Sequence, residues 1–313
     1  MRFKECGYPV GLWVLLLMMP ALSRNDHDFA GKNTSKVTMR IEPTWTAAPD
    51  IPLAVRAGNT AGYTRNDTGW VYIVSGRDYN ERITKTVQRF NATTARWDTV
   101  APHPSGLLGA ATAVVEDSLY IIGGVVNPPG TGQRIVHKYD IKENTWSQAA
   151  PLPFALVDAK AASYQDSLIY VAGGFTSAIN NGLVYLYNAK SRSWRAASFI
   201  PSNGRLNFGG FAITGDTLVY MCGTPGFGSP ITYNTVYIGV INQVDRAIID
   251  WSTGQAFPGQ TRTFFDAHPW GNGGIIMTGG SANNSLNSAS DECYVFHPAS
   301  NRWTALLQNP PPG

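Results

Sequence analysis

The sequence predicts an all-β protein assembled from four-stranded units that recur about every 50 residues. Three observations carry that prediction. Tryptophan falls at Trp45, Trp97, Trp146, Trp194, Trp251 and Trp303, at intervals of 52, 49, 48, 57 and 52 residues. A glycine closes an apolar run at Gly76, Gly124, Gly174, Gly223 and Gly280, spaced 48, 50, 49 and 57. An aromatic residue stands seven before the tryptophan in four copies, at Phe90, Tyr139, Tyr187 and Phe296. Three markers holding one period, with four strands to each copy, are the signature of β-propeller blades.

Composition agrees. The 32 glycines, 20 prolines and 12% aromatic residues suit many short strands and tight turns. With 313 residues the chain has room for one large all-β domain. Only 14% of residues are charged, the formal net charge is +3, and no basic block stands out. That argues against a nucleic-acid partner.

Taken in order, residues 1–23 read as a secretory signal peptide. Arg2 and Lys4 precede an apolar run from Leu12 to Leu22, and small residues Ala21 and Ser23 offer a cleavage site. The run is too short to span a bilayer comfortably. The expected location is therefore secreted, periplasmic or cell-surface, with no membrane span after cleavage. Residues 24–37 form a polar lead-in. The repeat region occupies 38–313, beginning with VTMRIEPTW as a strand of its own. Cys6 leaves with the signal, and Cys222 and Cys293 sit inside strands of different repeats, which predicts two buried free thiols rather than a disulfide.

The clearest copy is Leu107–Trp146 with its following strand. Its strands are expected at 107–115, 119–124, 134–141 and 144–149. Asp117-Ser118 turns the first strand into the second, as Asp166-Ser167 and Gly215-Asp216 do later. Small residues in the first strand (GAATA) suit crowding at a central axis, and the paired glycines suit close backbone approach. The tryptophan and its aromatic partner are expected in the core between blades. The fourth copy breaks the pattern, with about seven extra residues in YIGVINQVDRAIIDW.

The Gly-Gly pairs at Gly123-Gly124, Gly173-Gly174 and Gly279-Gly280, followed by an aromatic and a tryptophan at fixed spacing, resemble the kelch repeat. Ser75-Gly76 and Cys222-Gly223 are degraded versions. The resemblance covers about residues 38–313 and implies a propeller, in this family most often of six or seven blades. Five complete repeats plus the strand ending at Trp45 fit an incomplete six-bladed ring. In that reading the early strand is the fourth strand of the sixth blade and the rest lies beyond residue 313. A five-bladed ring with the early strand tucked alongside is the rival.

Function is expected on the face that gathers the long loops: RDYNERITK after Gly76, VVNPPGTGQ after Gly124, FTSAINN after Gly174, TPGFGSPITY after Gly223 and SANNSLNSAS after Gly280. Counting eleven from each tryptophan gives Arg56, Leu108, Val157, Arg205 and Arg262, at one level near the axis. Arg56, Arg205 and Arg262 there would hold a carboxylate, or a sulfated or sialylated sugar, or would instead brace loop carbonyls between blades. Arg77, Asp78, Tyr79, Phe175 and Phe227 are loop residues that would add contacts.

There is no GxSxG elbow, P-loop, HExxH or CxxC, and His103, His137, His268 and His297 fall at unlike places in their repeats. The sequence calls for no catalytic set, cofactor or metal. The expected function is a non-catalytic module binding a protein or glycan on the long-loop face. The resemblance also admits a sugar-processing enzyme of sialic-acid mutarotase or galactose-oxidase type at the axial mouth, where Asp158 and Asp266 supply carboxyl groups.

Overall fold

A computed structural model of the chain describes residues 46–126, 132–175, 182–202, 206–226, 228–282, 284 and 289–306. The expected signal, the lead-in and the strand ending at Trp45 lie outside the described residues.

The described residues contain no helix and form five four-stranded antiparallel blades. Blade 1 is β1 (Asn59–Arg65), β2 (Thr68–Val74), β3 (Val87–Asn91) and β4 (Arg96–Val100). Blade 2 is β5 (Ala111–Val115), β6 (Ser118–Ile122), β7 (Val136–Asp140) and β8 (Thr145–Gln148). Blade 3 is β9 (Lys160–Tyr164), β10 (Leu168–Ala172), β11 (Val184–Asn188) and β12 (Ser193–Ala196). Blade 4 is β13 (Gly210–Thr214), β14 (Thr217–Met221), β15 (Val236–Ile241) and β16 (Ile249–Thr253). In blade 5 a short strand β17 (Arg262–Thr263) precedes β18 (Asp266–Trp270) and β19 (Gly274–Thr278). A second short strand, β20 (Ser281–Ala282), pairs with β17, and β21 (Cys293–His297) and β22 (Arg302–Ala305) complete the blade.

The first strands β1, β5, β9, β13 and β18 stand innermost and pack on one another in that order. Apolar clusters fill the four seams between consecutive blades. Ala61, Tyr72 and Val74 meet Leu119, Ile121 and Tyr139 across the first. Ala111, Tyr120 and Ile122 meet Ile169, Val171 and Tyr187 across the second. Tyr170 and Leu186 meet Phe211, Leu218 and Tyr220 across the third, and Val219 and Met221 meet Phe265, Ile275 and Phe296 across the fourth.

Blades 5 and 1 meet differently. Thr60 on β1 donates its hydroxyl proton to Asp266 Oδ2 on β18 at 3.0 Å, which brings the two innermost strands together. Below that contact Gly62 and Thr64 on β1, and His268 and Pro269 on β18, are exposed, whereas the innermost strands of blades 2 to 4 expose nothing. The five described blades thus form a ring joined at one seam by polar groups.

The tryptophan rule has a hydrogen-bond basis. Each Trp Nε1 donates to the carbonyl four residues past the tryptophan of the preceding copy. The pairs are Trp146 to Ala101, Trp194 to Ala150, Trp251 to Ser198 and Trp303 to Gln255, at 2.9 to 3.1 Å. Trp97 donates to Pro49 at 2.9 Å, so Pro49 stands four past Trp45 as the period requires. The tryptophan also faces the aromatic seven before it across the outer strand pair, with ring centroids 4.8 to 5.0 Å apart in four blades. In blade 4 the residue paired with the tryptophan is Gly239, twelve before Trp251, and a Cβ there would meet the indole at 2.7 Å. The missing aromatic therefore makes room for the ring.

The Gly-Gly signature comes from backbone twist. Both residues that follow the second strand are left-handed in every blade: Ser75 and Gly76, Gly123 and Gly124, Gly173 and Gly174, Cys222 and Gly223, Gly279 and Gly280. Ser75 and Cys222 hold φ of 61° and 58°, a conformation that costs an L-residue about 1–2 kcal/mol. Both cysteines are free and buried.

Strand bounds shift inward from those expected. The first strand of blade 2 begins at Ala111, not 107, because Gly109 is left-handed (φ 61°) and separates the ladder from a single bridge between Leu108 and Val125. Turns of two residues, such as Asn66-Asp67, or of three in blades 3 and 5 join first to second strands. An Asx side chain at the end of the third strand (Asn91, Asp140, Asn188, Asn242) caps the next turn by accepting two backbone N–H bonds. These short turns share one end of the ring, and the long connections gather at the other.

Candidate ligand site at the axial mouth

At the long-loop end each innermost strand is preceded by one left-handed residue. These are Ala57, Gly109, Asp158, Phe208 and Phe264, with φ between 53° and 61°. Each lies two positions before the first paired residue of its strand, so the five form a collar at the top of the axis. Asp158 N–H donates to the Gly109 carbonyl at 2.7 Å, and Phe264 N–H to the Phe208 carbonyl at 2.9 Å. The collar side chains are unlike: a carboxyl on blade 3, and two phenyl rings on blades 4 and 5 whose centroids are 4.3 Å apart.

The Asp158 carboxyl occupies space that only glycine at position 109 leaves open, since a Cβ there would collide with Asp158 Oδ1. Among the described residues it accepts no hydrogen bond and makes no ion pair. Burial raises its pKa to about 6, against a smaller opposing pull from Lys160. Just inside the collar, Lys160 on β9 is ion-paired with Asp266 on β18, which also accepts the Thr60 bond. Burial pushes Asp266 upward, but Lys160 foremost, then His268 and Thr60, hold it down at about 2. Blades 1, 3 and 5 thus place two carboxyl groups of opposite character around one ammonium group. Environments that drive two acids apart mark functional sites.

The residues named from sequence are distributed differently. The bridges Arg56–Arg77, Leu108–Val125, Val157–Phe175 and Asn207–Thr224, and the pair Thr263–Ser281, define the true level beside the axis. The eleven-residue count is right in blades 1 to 3 and slips in blades 4 and 5, where Asn207 and Thr263 hold the slot. Arg205 and Phe227 lie outside the described residues. Arg56 is exposed and ion-paired with Glu81, which also meets Arg77 at 3.6 Å. Asp78 spends its Oδ1 on the N–H groups of Asn80 and Arg82, both at 2.9 Å. Tyr79 is 96% exposed, and Phe175 is exposed beside Val157.

Arg262 is not at the mouth. It stands where the other blades carry Val55, Leu107, Leu156 and Leu206, directly before the slot residue, and it is 1% exposed. It donates to Glu292 at 2.7 Å and lies 5.8 Å from the Phe257 ring, while its Nε has no partner. Arg262→Leu is expected to leave stability unchanged or raise it, and Arg262→Ala to cost about 2–4 kcal/mol through the void it leaves. Urea denaturation of both variants checks this pair.

Sequence reasoning did not single out Lys160 or Thr60. A lysine opening an innermost strand otherwise made of small residues (KAASY) is the signal that was available. Two of the histidines, at unlike places in their repeats, meet. His103 and His137 lie edge to face at 4.5 Å against Trp146, both buried. Among the described residues no three His, Cys, Asp or Glu side chains gather as a metal site.

The family model described as Kelch motif matches residues 107–153. That stretch is blade 2 with the connection that follows it, and the described residues fold as a β-propeller. The solved structure described as "Structure of YjhT" is similar with a TM-score of 0.64 at 17% identity, over 84% of this chain and 87% of that one. At that identity the similarity concerns the fold. No curated protein matches the sequence.

Proposed function

We propose that this kelch propeller is a binding module that takes a glycan or a segment of a protein at its axial mouth, within the long loops. The observation that supports the reading most is the meeting of Thr60, Lys160 and Asp266 from three blades just below the Asp158 carboxyl. Burying polar groups at a ring axis costs stability unless they are used or satisfied, and Asp158 has no partner of its own. The phenyl pair of Phe208 and Phe264 supplies apolar area beside these groups, as ligand sites commonly do. Secretion or surface display, expected from residues 1–23, belongs to this proposal and fits a glycan or extracellular protein ligand. The test is a glycan array with a matched protein pull-down, run on the full chain and on Asp158→Asn with Lys160→Ala. Retention by the wild type and loss in the double variant are expected. Equal retention by both would move the site elsewhere.

A second reading keeps chemistry at the same mouth. It is favoured by the place of the Asp158 carboxyl, packed over Gly109 and raised by burial to about 6, next to the Lys160 ammonium that holds Asp266 ionised. A sugar-processing enzyme would use Asp158 as acid and Asp266 to hold Lys160. Turnover of reducing sugars that survives Asp158→Asn would remove that reading.

A further inference from the structure

At the short-turn end, blades 1 and 2 leave a groove of about 300 Å³. Its aromatic wall is Tyr63, Trp70 and Tyr72, and its charged lining is Arg65, Arg89 and Lys142, with no carboxylate among the lining residues. Blade 1 departs from the repeat here. Trp70 is level with Ser118, Leu168, Thr217 and Gly274 of the other blades, counted in each from the residue before the left-handed pair. Arg89 is level with Lys138, Leu186, Ile238 and Val295. The blade architecture does not require either residue.

The groups are also fixed in place. Arg89 lies 4.4 Å from the Trp70 ring centroid and is held by Asp98, with Nε donating to Oδ1 at 3.0 Å. Tyr63 donates its hydroxyl to Asp117 at 2.5 Å, and Arg65 pairs with the same carboxylate. Asp98 and Asp117 therefore orient the guanidinium groups from outside the groove lining. Lys142, with a side chain 77% exposed, lies 3.8 Å from the Glu143 carboxylate at the rim. At the groove wall, Tyr72 is wholly buried with its hydroxyl beside the Arg89 guanidinium. Thus the groove sets aromatic surface beside three cationic groups, each shared with a carboxylate outside the lining, and offers few acceptors of its own. That chemistry fits a ring-shaped ligand with an apolar C–H face, many acceptor oxygens and a negative charge.

We infer that this groove is a second binding site, separate from the axial mouth, for a uronate-bearing saccharide. One sugar face lies against Tyr63 and Trp70, the carboxylate sits between Arg65 and Lys142, and the hydroxyls meet Asn66 and Thr68. The other occupant considered, a free phosphate, would use the cations but not the aromatic wall.

The test is calorimetric titration of the full chain with a galacturonate disaccharide, with the neutral galactose disaccharide and inorganic phosphate run in parallel. Binding of the galacturonate disaccharide is expected, at least tenfold tighter than the neutral sugar. Trp70→Ala and Arg65→Ala should each weaken it at least tenfold. Lys190→Ala, which removes an exposed charge from a blade 3 turn, should leave it unchanged. Arg65 is half exposed, so that variant tests the site even if Trp70→Ala does not fold. The proposal is overturned if the galacturonate disaccharide does not bind. Equal binding of the neutral sugar, equal competition by phosphate, or an equal loss in Lys190→Ala would overturn it too.

Discussion

Gly123→Ala is expected to destabilise the ring by more than about 3 kcal/mol. Gly123 holds φ at 68°, and a Cβ there would land on the Leu156 carbonyl oxygen of the next blade, far inside contact distance. That same oxygen accepts the Gly124 N–H at 2.8 Å, so the clash falls on the bond that ties blade 2 to blade 3. The obstacle is backbone, which cannot rotate aside as a side chain would. Gly62→Ala is the matched control, because nothing lies within 4 Å of a Cβ there and the residue is not left-handed. Denaturant melts should show a large loss for Gly123→Ala and a change under about 0.5 kcal/mol for Gly62→Ala. Similar losses in both would mean that the glycines act by flexibility and not by close approach.

The second large effect concerns pH. His103 is wholly buried, and its Nδ1 accepts the Gly106 N–H at 3.1 Å while its Nε2 is unpartnered. Burial foremost, then the charges of His137 and Lys85, lowers its pKa to about 3, and burial lowers that of His137 too. The folded protein thus keeps both imidazoles neutral, while the unfolded chain binds protons near pH 6.5. Stability from this pair is complete above pH 6.5 and is lost as pH falls towards about 3. For His103 the loss is on the order of 4 kcal/mol across that window. Asp158 acts in the opposite sense. Its raised pKa favours folding below about pH 4 and loses that advantage as pH rises through 6. Urea midpoints measured from pH 7 to pH 4 in Asp158→Asn isolate the histidines and should fall steeply. A flat profile would mean that water reaches His103.

Much of the fold was legible in the sequence, since its markers are packing necessities repeated five times. Trp146, Trp194, Trp251 and Trp303 each bridge to the connection that leaves the blade before, Trp97 bridges to Pro49, and two consecutive left-handed residues follow each second strand. Both demands leave visible residues. The axial site was less legible. The count of eleven passes through the fourth-to-first connection, a surface loop whose length is free to drift, and so it misplaced Arg262 by one residue. Counting back from the glycine that closes strand two does no better, because the offset varies from 16 to 20 residues among the blades; only the backbone bridge to the residue after that glycine fixes the slot. Lys160 and Asp266 come from different blades and meet only when the ring closes, which no local pattern records. Blade 1 shows the same limit at the other end, where Trp70 and Arg89 look ordinary until their levels are compared across blades.

On the proposed function, ligand meets the collar and the groups just inside it. Hydrogen–deuterium exchange of the full chain, with and without the ligand that the array selects, tests this directly. The expected result is slowed exchange confined to residues 157–160, 207–210 and 263–266 at the mouth. Protection that leaves these three segments unchanged and appears only on the outer strands of the blades would contradict it.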